Sequence, residues 1–199
     1  MGANMIGGEL PSHYAITVRL VTAELESAFE ALDRCFELGE DALAYQPSGG
    51  GWSIAAILEH VTLTDHFLLL VIRKGRDKAL KRAAAGMAIQ GTESDLEALA
   101  PIGHPDTFPW LRPDHMVPTG GLSSDDIRIR LHTQHQEALA ILRSLPHGEG
   151  SLHLVRMSVR DLGKLDLYQW LAFLALHARR HHIEAQRVYE EWSRPPPQL

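Results

Sequence analysis

Cysteine is nearly absent: Cys35 is the single thiol in 199 residues. An internal disulfide is therefore excluded, and the composition suits a reducing, cytoplasmic compartment. Positive charge is also in short supply. Nineteen Lys and Arg face 25 Asp and Glu, for a formal net charge of −6. That balance argues against a nucleic-acid or anionic-membrane surface, since both need clustered cations. No apolar run approaches the roughly 20 residues a bilayer span requires. Residues 1–11 show no basic stretch followed by an apolar one, so no secretory signal is expected. The remaining composition, 45% hydrophobic and 22% charged, is that of an ordinary globular chain. At 22.1 kDa it is read as one domain over residues 1–199, with a core from about 12 to 192. Against these scarcities stands one surplus, 12 histidines.

The dominant period is helical. Between Ser12 and Phe36 the apolar residues Tyr14, Val18, Val21, Leu25, Phe29, Leu32 and Phe36 trace one stripe. Ser12 is the expected cap, Gly39 lies near the stop, and Gln46 to Gly51 is a breaker. A second helix opens with Ser53 as cap and Trp52 stapled to Ile57, and it is followed through Gly75 towards Ala85 and Gly86. Residues 87–122 carry Pro101, Pro105, Pro109, Pro113 and Pro118 and predict a long loop without a long element. A third helix starts at Ser123 or Ser124 and ends before Pro146. The segment Leu152 to Met157 alternates too briefly to predict a strand. The fourth helix has a capping box, Asp166 with Gln169, and a staple, Leu165 with Trp170; it runs to about Trp192. The expected fold is all-α: a four-helix bundle with a long loop between its second and third helices.

His177 and His181 are four residues apart on the fourth helix, on the face that carries Trp170, Phe173 and Leu174. Two imidazoles so spaced can reach one metal ion. Ala178 stands where a zinc protease of the HExxH type needs Glu, so that chemistry is excluded. His60, aligned with Ile57, Thr64, Phe67 and Val71, is the candidate third ligand. Three imidazoles suit a borderline divalent ion and leave positions open for water or substrate. The same spacing is compatible with hydrogen-bonded, half-buried core histidines.

At this point the sequence resembles a known family. Gly51-Trp-Ser-Ile-Ala-Ala-Ile-Leu-Glu-His60 is similar to the start of the second helix in the DinB-like (YfiT-like) superfamily. Leu162-Gly-Lys-Leu-Asp-Leu-Tyr-Gln-Trp170 and Leu174-Ala-Leu-His177-Ala-Arg-Arg-His181-His-Ile-Glu-Ala-Gln186 resemble its closing segment, and Val117-Pro-Thr-Gly-Gly121 fits its approach to the third helix. The resemblance implies a bundle, usually a homodimer, with a nickel or zinc ion on His60, His177 and His181. Gln186 falls a residue or two later than the family's usual Gln. Members with assigned activities include transferases of low-molecular-weight thiols and a thiol-dependent isomerase, while others are supposed hydrolases. The expected function is a divalent-metal-dependent enzyme that activates a low-molecular-weight thiol or water for a small-molecule substrate. The alternative is a non-catalytic metal-binding stress or interaction protein of the same fold. DNA binding, which the family's name suggests, fails on the charge balance.

Around the triad, Glu184, His182 and Gln186 are candidates to support a ligand or meet a substrate, Glu184 also as a base, against the plainer expectation that Glu184 is a solvated helix charge. Arg180 and its neighbour Arg179 are candidates for an anionic substrate, against the plainer expectation of exposed or dimer-edge salt bridges. Trp110, Arg112 and Pro113 are candidate cover for a cavity. Tyr168, Trp170 and Phe173 read as core, His132 and His135 as surface, and Cys35 as a small core residue.

Overall fold

In a computed structural model, residues 14–107, 113–159 and 162–194 are described. Four long helices form the bundle: α1 (Ala15–Cys35), α3 (Ile54–Ala84), α4 (Ser124–Arg143) and α5 (Leu167–Trp192), with a short α2 (Glu40–Ala44) between the first two. The all-α expectation holds, and α1, α3, α4 and α5 are the four helices the periodicity predicts. Ser12 and residues 1–11 lie outside the described residues. α1 begins after Tyr14, whose backbone is left-handed (φ 66) and whose side chain does not cap it.

The predicted caps are formed. Ser53 Oγ accepts from Ala56 N–H at 3.2 Å and Ser123 Oγ from Asp126 N–H at 3.1 Å. Asp166 and Gln169 exchange both bonds of the capping box, at 2.9 and 3.0 Å. α3 ends where Gly86 takes φ 77 and donates to Ala83, while Met87 N–H reaches Arg82, the closing pattern that a left-handed glycine permits.

α5 is the central element. From Leu167 to Ala178 nearly every side chain is buried, so this half of the helix is apolar all round and is covered on all sides by α1, α3 and the long loop. α3 is long enough, and in one window apolar enough (mean hydropathy 1.6), to pass for a membrane span; 61% of that window is buried inside the bundle. One core joins the four helices.

Three features depart from the sequence reading. α2 is a helix of five residues, too short to show a period. Val155–Met157 pairs antiparallel with Gly163–Leu165, with Val155 opposite Leu165; the alternation at 152–157 was thus half of a two-stranded ribbon. The indole N–H of Trp170 donates to Val155 O at 3.3 Å and ties that ribbon to α5. Among its described residues the long loop contains three 3-10 turns, at Glu97–Gly103, Pro105–Thr107 and Asp114–Met116. Leu99 and Ile102 of the first are fully buried, so this part of the loop is a strap packed on α5.

Candidate metal centre

α3 carries His60 and α5 carries His177 and His181, and the bundle brings the three imidazoles together. One ring nitrogen from each lies within 4.8 Å of the others, and the side chains are 4%, 1% and 7% exposed. His177 Nε2 and His181 Nε2 are 3.2 Å apart. Two nitrogens on one tetrahedral ion, each at about 2.05 Å, stand about 3.3 Å apart. The separation of the helical pair is therefore that of two ligands on one cation.

Each ring is oriented by its surroundings. His60 Nδ1 is 2.6 Å from Met116 O, so it carries the proton and donates to that carbonyl, which leaves Nε2 as the ligating atom. The indole of Trp52 lies against the same ring, with centroids 4.8 Å apart. His181 Nδ1 is 2.8 Å from Glu184 Oε2 and donates to the carboxylate, so Nε2 is the ligating atom here too. Burial pushes His177 well below the usual imidazole range; the neighbouring His181 and His60 and the Arg180 guanidinium push the same way. A neutral ring is the form that binds a metal. The donor set is therefore three buried imidazoles, two with Nδ1 already engaged, and it fits a divalent ion.

A cavity of about 470 Å³ opens beside the triad. Its walls include His60, His181, Trp52 and Ile57 near the imidazoles, and Glu184 and Val188 further along α5. The volume is in the range of small-molecule sites.

The remaining candidates separate clearly. Glu184 is placed as a partner of His181. Arg180 is only 6% exposed and donates to His104 O at 2.7 Å and Pro105 O at 2.9 Å. It is thus not an exposed residue; it fastens the loop to α5 and also lines the cavity. Arg179 forms the expected surface ion pair, with Glu24 at 2.8 Å. His182 and Gln186 line a groove with Cys35 of α1, outside the cavity beside the triad. Trp110 and Arg112 lie outside the described residues, and Pro113 precedes the short turn at Asp114–Met116, its carbonyl accepting from Met116 N–H at 3.0 Å. His135, read as surface, is half-buried and stacks on Phe29 at 4.8 Å and 6°, whereas His132 is exposed. Tyr168, Trp170 and Phe173 are core as expected. Cys35 is buried against Ala31 O, and burial pushes its thiol up to about 11, so it remains a thiol at neutral pH.

Two acidic side chains that the sequence did not single out belong here. Glu59, 2% exposed, accepts from the backbone N–H and hydroxyl of Thr119 and from Gly120 N–H. Asp65 is fully buried, with Oδ1 4.0 Å from His177 Nδ1. Desolvation by burial pushes its carboxyl well above the usual range. Both residues sit one or five positions from His60, but helix charges are ordinarily solvated, and only the packing of α5 and the loop reveals that these are not.

The sequence profile of the DinB superfamily matches residues 19–185. The chain belongs to that superfamily. No curated protein and no solved structure matches it.

Proposed function

We propose that this chain is a divalent-metal-dependent enzyme whose ion sits on His60, His177 and His181 and activates a low-molecular-weight thiol or water against a small-molecule substrate. The observation that carries the reading is the convergence of three buried imidazoles, two of which, His60 and His181, line a 470 Å³ cavity. A divalent ion there would supply Lewis acidity, which would draw the pKa of a coordinated water down towards neutrality and favour thiolate over thiol. Three protein ligands leave coordination positions for it. The protein's own contribution is orientation. Met116 O and the Glu184 carboxylate hold two of the rings in the ligating tautomer, while Trp52 and Ile57 provide apolar surface next to them. The thiol in this reading comes from outside, because Cys35 is buried on α1 and belongs to a different groove. Nickel and zinc are the ions proposed, since imidazole donors suit both. The homodimer implied by the family is part of the same proposal.

A second reading, a non-catalytic metal-binding protein, is favoured by the low exposure of all three rings. The two readings part on exchangeable coordination: an enzyme turns over an electrophile with a thiol or water only when metal is present.

Elemental analysis of the purified protein beside His60→Ala and His177→Ala tests the centre. Wild type is expected to carry close to one ion per chain, and each variant to lose it. Equal metal content in all three would overturn the triad.

A further inference from the structure

Asp65 lies on α3, five residues beyond His60, with a relative exposure of 0%. Neither carboxylate oxygen has a hydrogen-bond partner among the described residues. A buried carboxyl without a partner is expensive, and native interiors rarely retain one without cause. The feature that singles out this position is what faces it across the helix interface: His177 Nδ1, 4.0 Å from Oδ1, on a ring that is itself 1% exposed. In His60 and His181 the corresponding nitrogen is engaged with an acceptor, Met116 O in one and Glu184 in the other.

We infer that Asp65 is the positioning residue for the third ligand, accepting the Nδ1 proton of His177 and so turning its Nε2 towards the ion. The inference rests on the metal-centre reading above. The 4.0 Å separation is longer than a hydrogen bond, and a shift of about 1 Å in ring or carboxylate closes it. A carboxylate behind a ligating imidazole fixes the tautomer, raises the basicity of the other nitrogen and sets a negative charge near the cation in a water-poor interior. Asp65 has no exposed atom and does not line the cavity, so it acts through His177 and does not touch a substrate.

The test measures Zn²⁺ affinity by competition with a chromophoric chelator, together with the melting temperature of the metal-free protein. Asp65→Leu removes the acceptor and is expected to weaken Zn²⁺ binding by about 10- to 100-fold. Its metal-free form is expected to melt no lower than wild type, because an unpartnered buried carboxyl has gone. Asp65→Asn keeps the shape and one acceptor oxygen, and a smaller loss is expected. Wild-type affinity in Asp65→Leu, or a lower metal-free melting temperature with affinity unchanged, overturns the inference. Should Asp65→Leu not fold, imidazole NMR decides: the His177 Nδ1–H signal of the Zn²⁺-loaded protein must move in Asp65→Asn, and an unmoved signal rejects the assignment. A wild-type protein that binds no Zn²⁺ would overturn the metal centre itself, whereas tight wild-type binding with an indifferent Asp65→Leu removes only the role of Asp65.

Discussion

The Glu59 carboxylate holds the backbone N–H of Gly120 at 2.8 Å. Gly120 has φ 70, a conformation that other residues adopt with strain, so the loop is shaped to present that N–H. One residue along α3, about 100° around the helix, His60 meets Met116 O. Two adjacent residues of α3 thus grip the same short stretch of loop, one through a carboxylate and one through an imidazole. The loop in turn supplies the carbonyl that fixes the His60 tautomer.

Glu59→Ala should therefore loosen the loop. Three donors to Glu59, two of them from backbone, would lose a buried charged acceptor. A loss of about 2–3 kcal/mol is expected from bonds to a charged group. Urea denaturation measures it, and limited proteolysis should find new cleavage between residues 113 and 122. A variant as stable and as protease-resistant as wild type would show that the loop holds without this anchor.

Gly75 of α3 faces Leu167 at the start of α5. A Cβ built there would stand 2.5 Å from Leu167 Cδ2, and Leu167 is fully buried, so its side chain must shift within a packed core. Alanine gains about 1 kcal/mol of helix propensity over glycine, but overpacking a filled core costs about 1–3 kcal/mol. Gly75→Ala is expected to be net destabilising by about 1 kcal/mol, seen as a lower denaturation midpoint. A raised midpoint would mean that the two helices separate more easily than their packing indicates.

The four long helices were legible because their stripes persist for several turns and their caps are local chemistry: Ser53, Ser123 and Asp166 need only their own next three residues. The histidine pair was legible for the same reason, since four-residue spacing puts both rings on one face. What stayed hidden was set by distant partners. The strands at 155–157 and 163–165 exist through each other. Leu99 and Ile102 are ordinary loop residues until α5 lies beneath them. Arg180 looked exposed because arginine usually is, and its burial follows from the loop carbonyls of His104 and Pro105 that receive its guanidinium. Asp65 reads as one more helix charge, and its environment comes entirely from α5.

Outside the metal centre, stability should fall on mild acidification. Burial lowers the pKa of His135, with Glu26 and Glu30 opposing the shift and His132 adding to it. Burial likewise lowers that of His153, aided by Arg82 and Lys78. Each is held neutral in the fold, while the unfolded chain takes up its proton near pH 6.5. Below that pH the unfolded state binds more protons, so the contribution is complete above about pH 6.5 and is lost as pH falls through the lower folded value. His135→Phe keeps a ring against Phe29 and cannot titrate. With a chelator present to remove metal effects, its melting temperature should fall less than wild type between about pH 7.5 and 5.5. Parallel curves would exclude His135 from the acid response.

Glu184 separates the support of a ligand from the fastening of the loop. Its Oε2 is 2.8 Å from His181 Nδ1, and its Oε1 is 3.5 Å from Arg180 Nε, while the Arg180 terminal nitrogens hold the loop carbonyls. Removing the carboxylate leaves those carbonyl bonds in place and strips His181 of the acceptor that sets its tautomer. Glu184→Ala is therefore expected to weaken metal binding by about 10- to 100-fold with the strap at residues 97–107 still protected from protease. Arg180→Met should give the opposite pattern, a more cleavable strap with metal affinity closer to wild type. If Glu184→Ala instead frees the strap and leaves affinity intact, the carboxylate serves the loop through Arg180, and His181 is oriented by its packing alone.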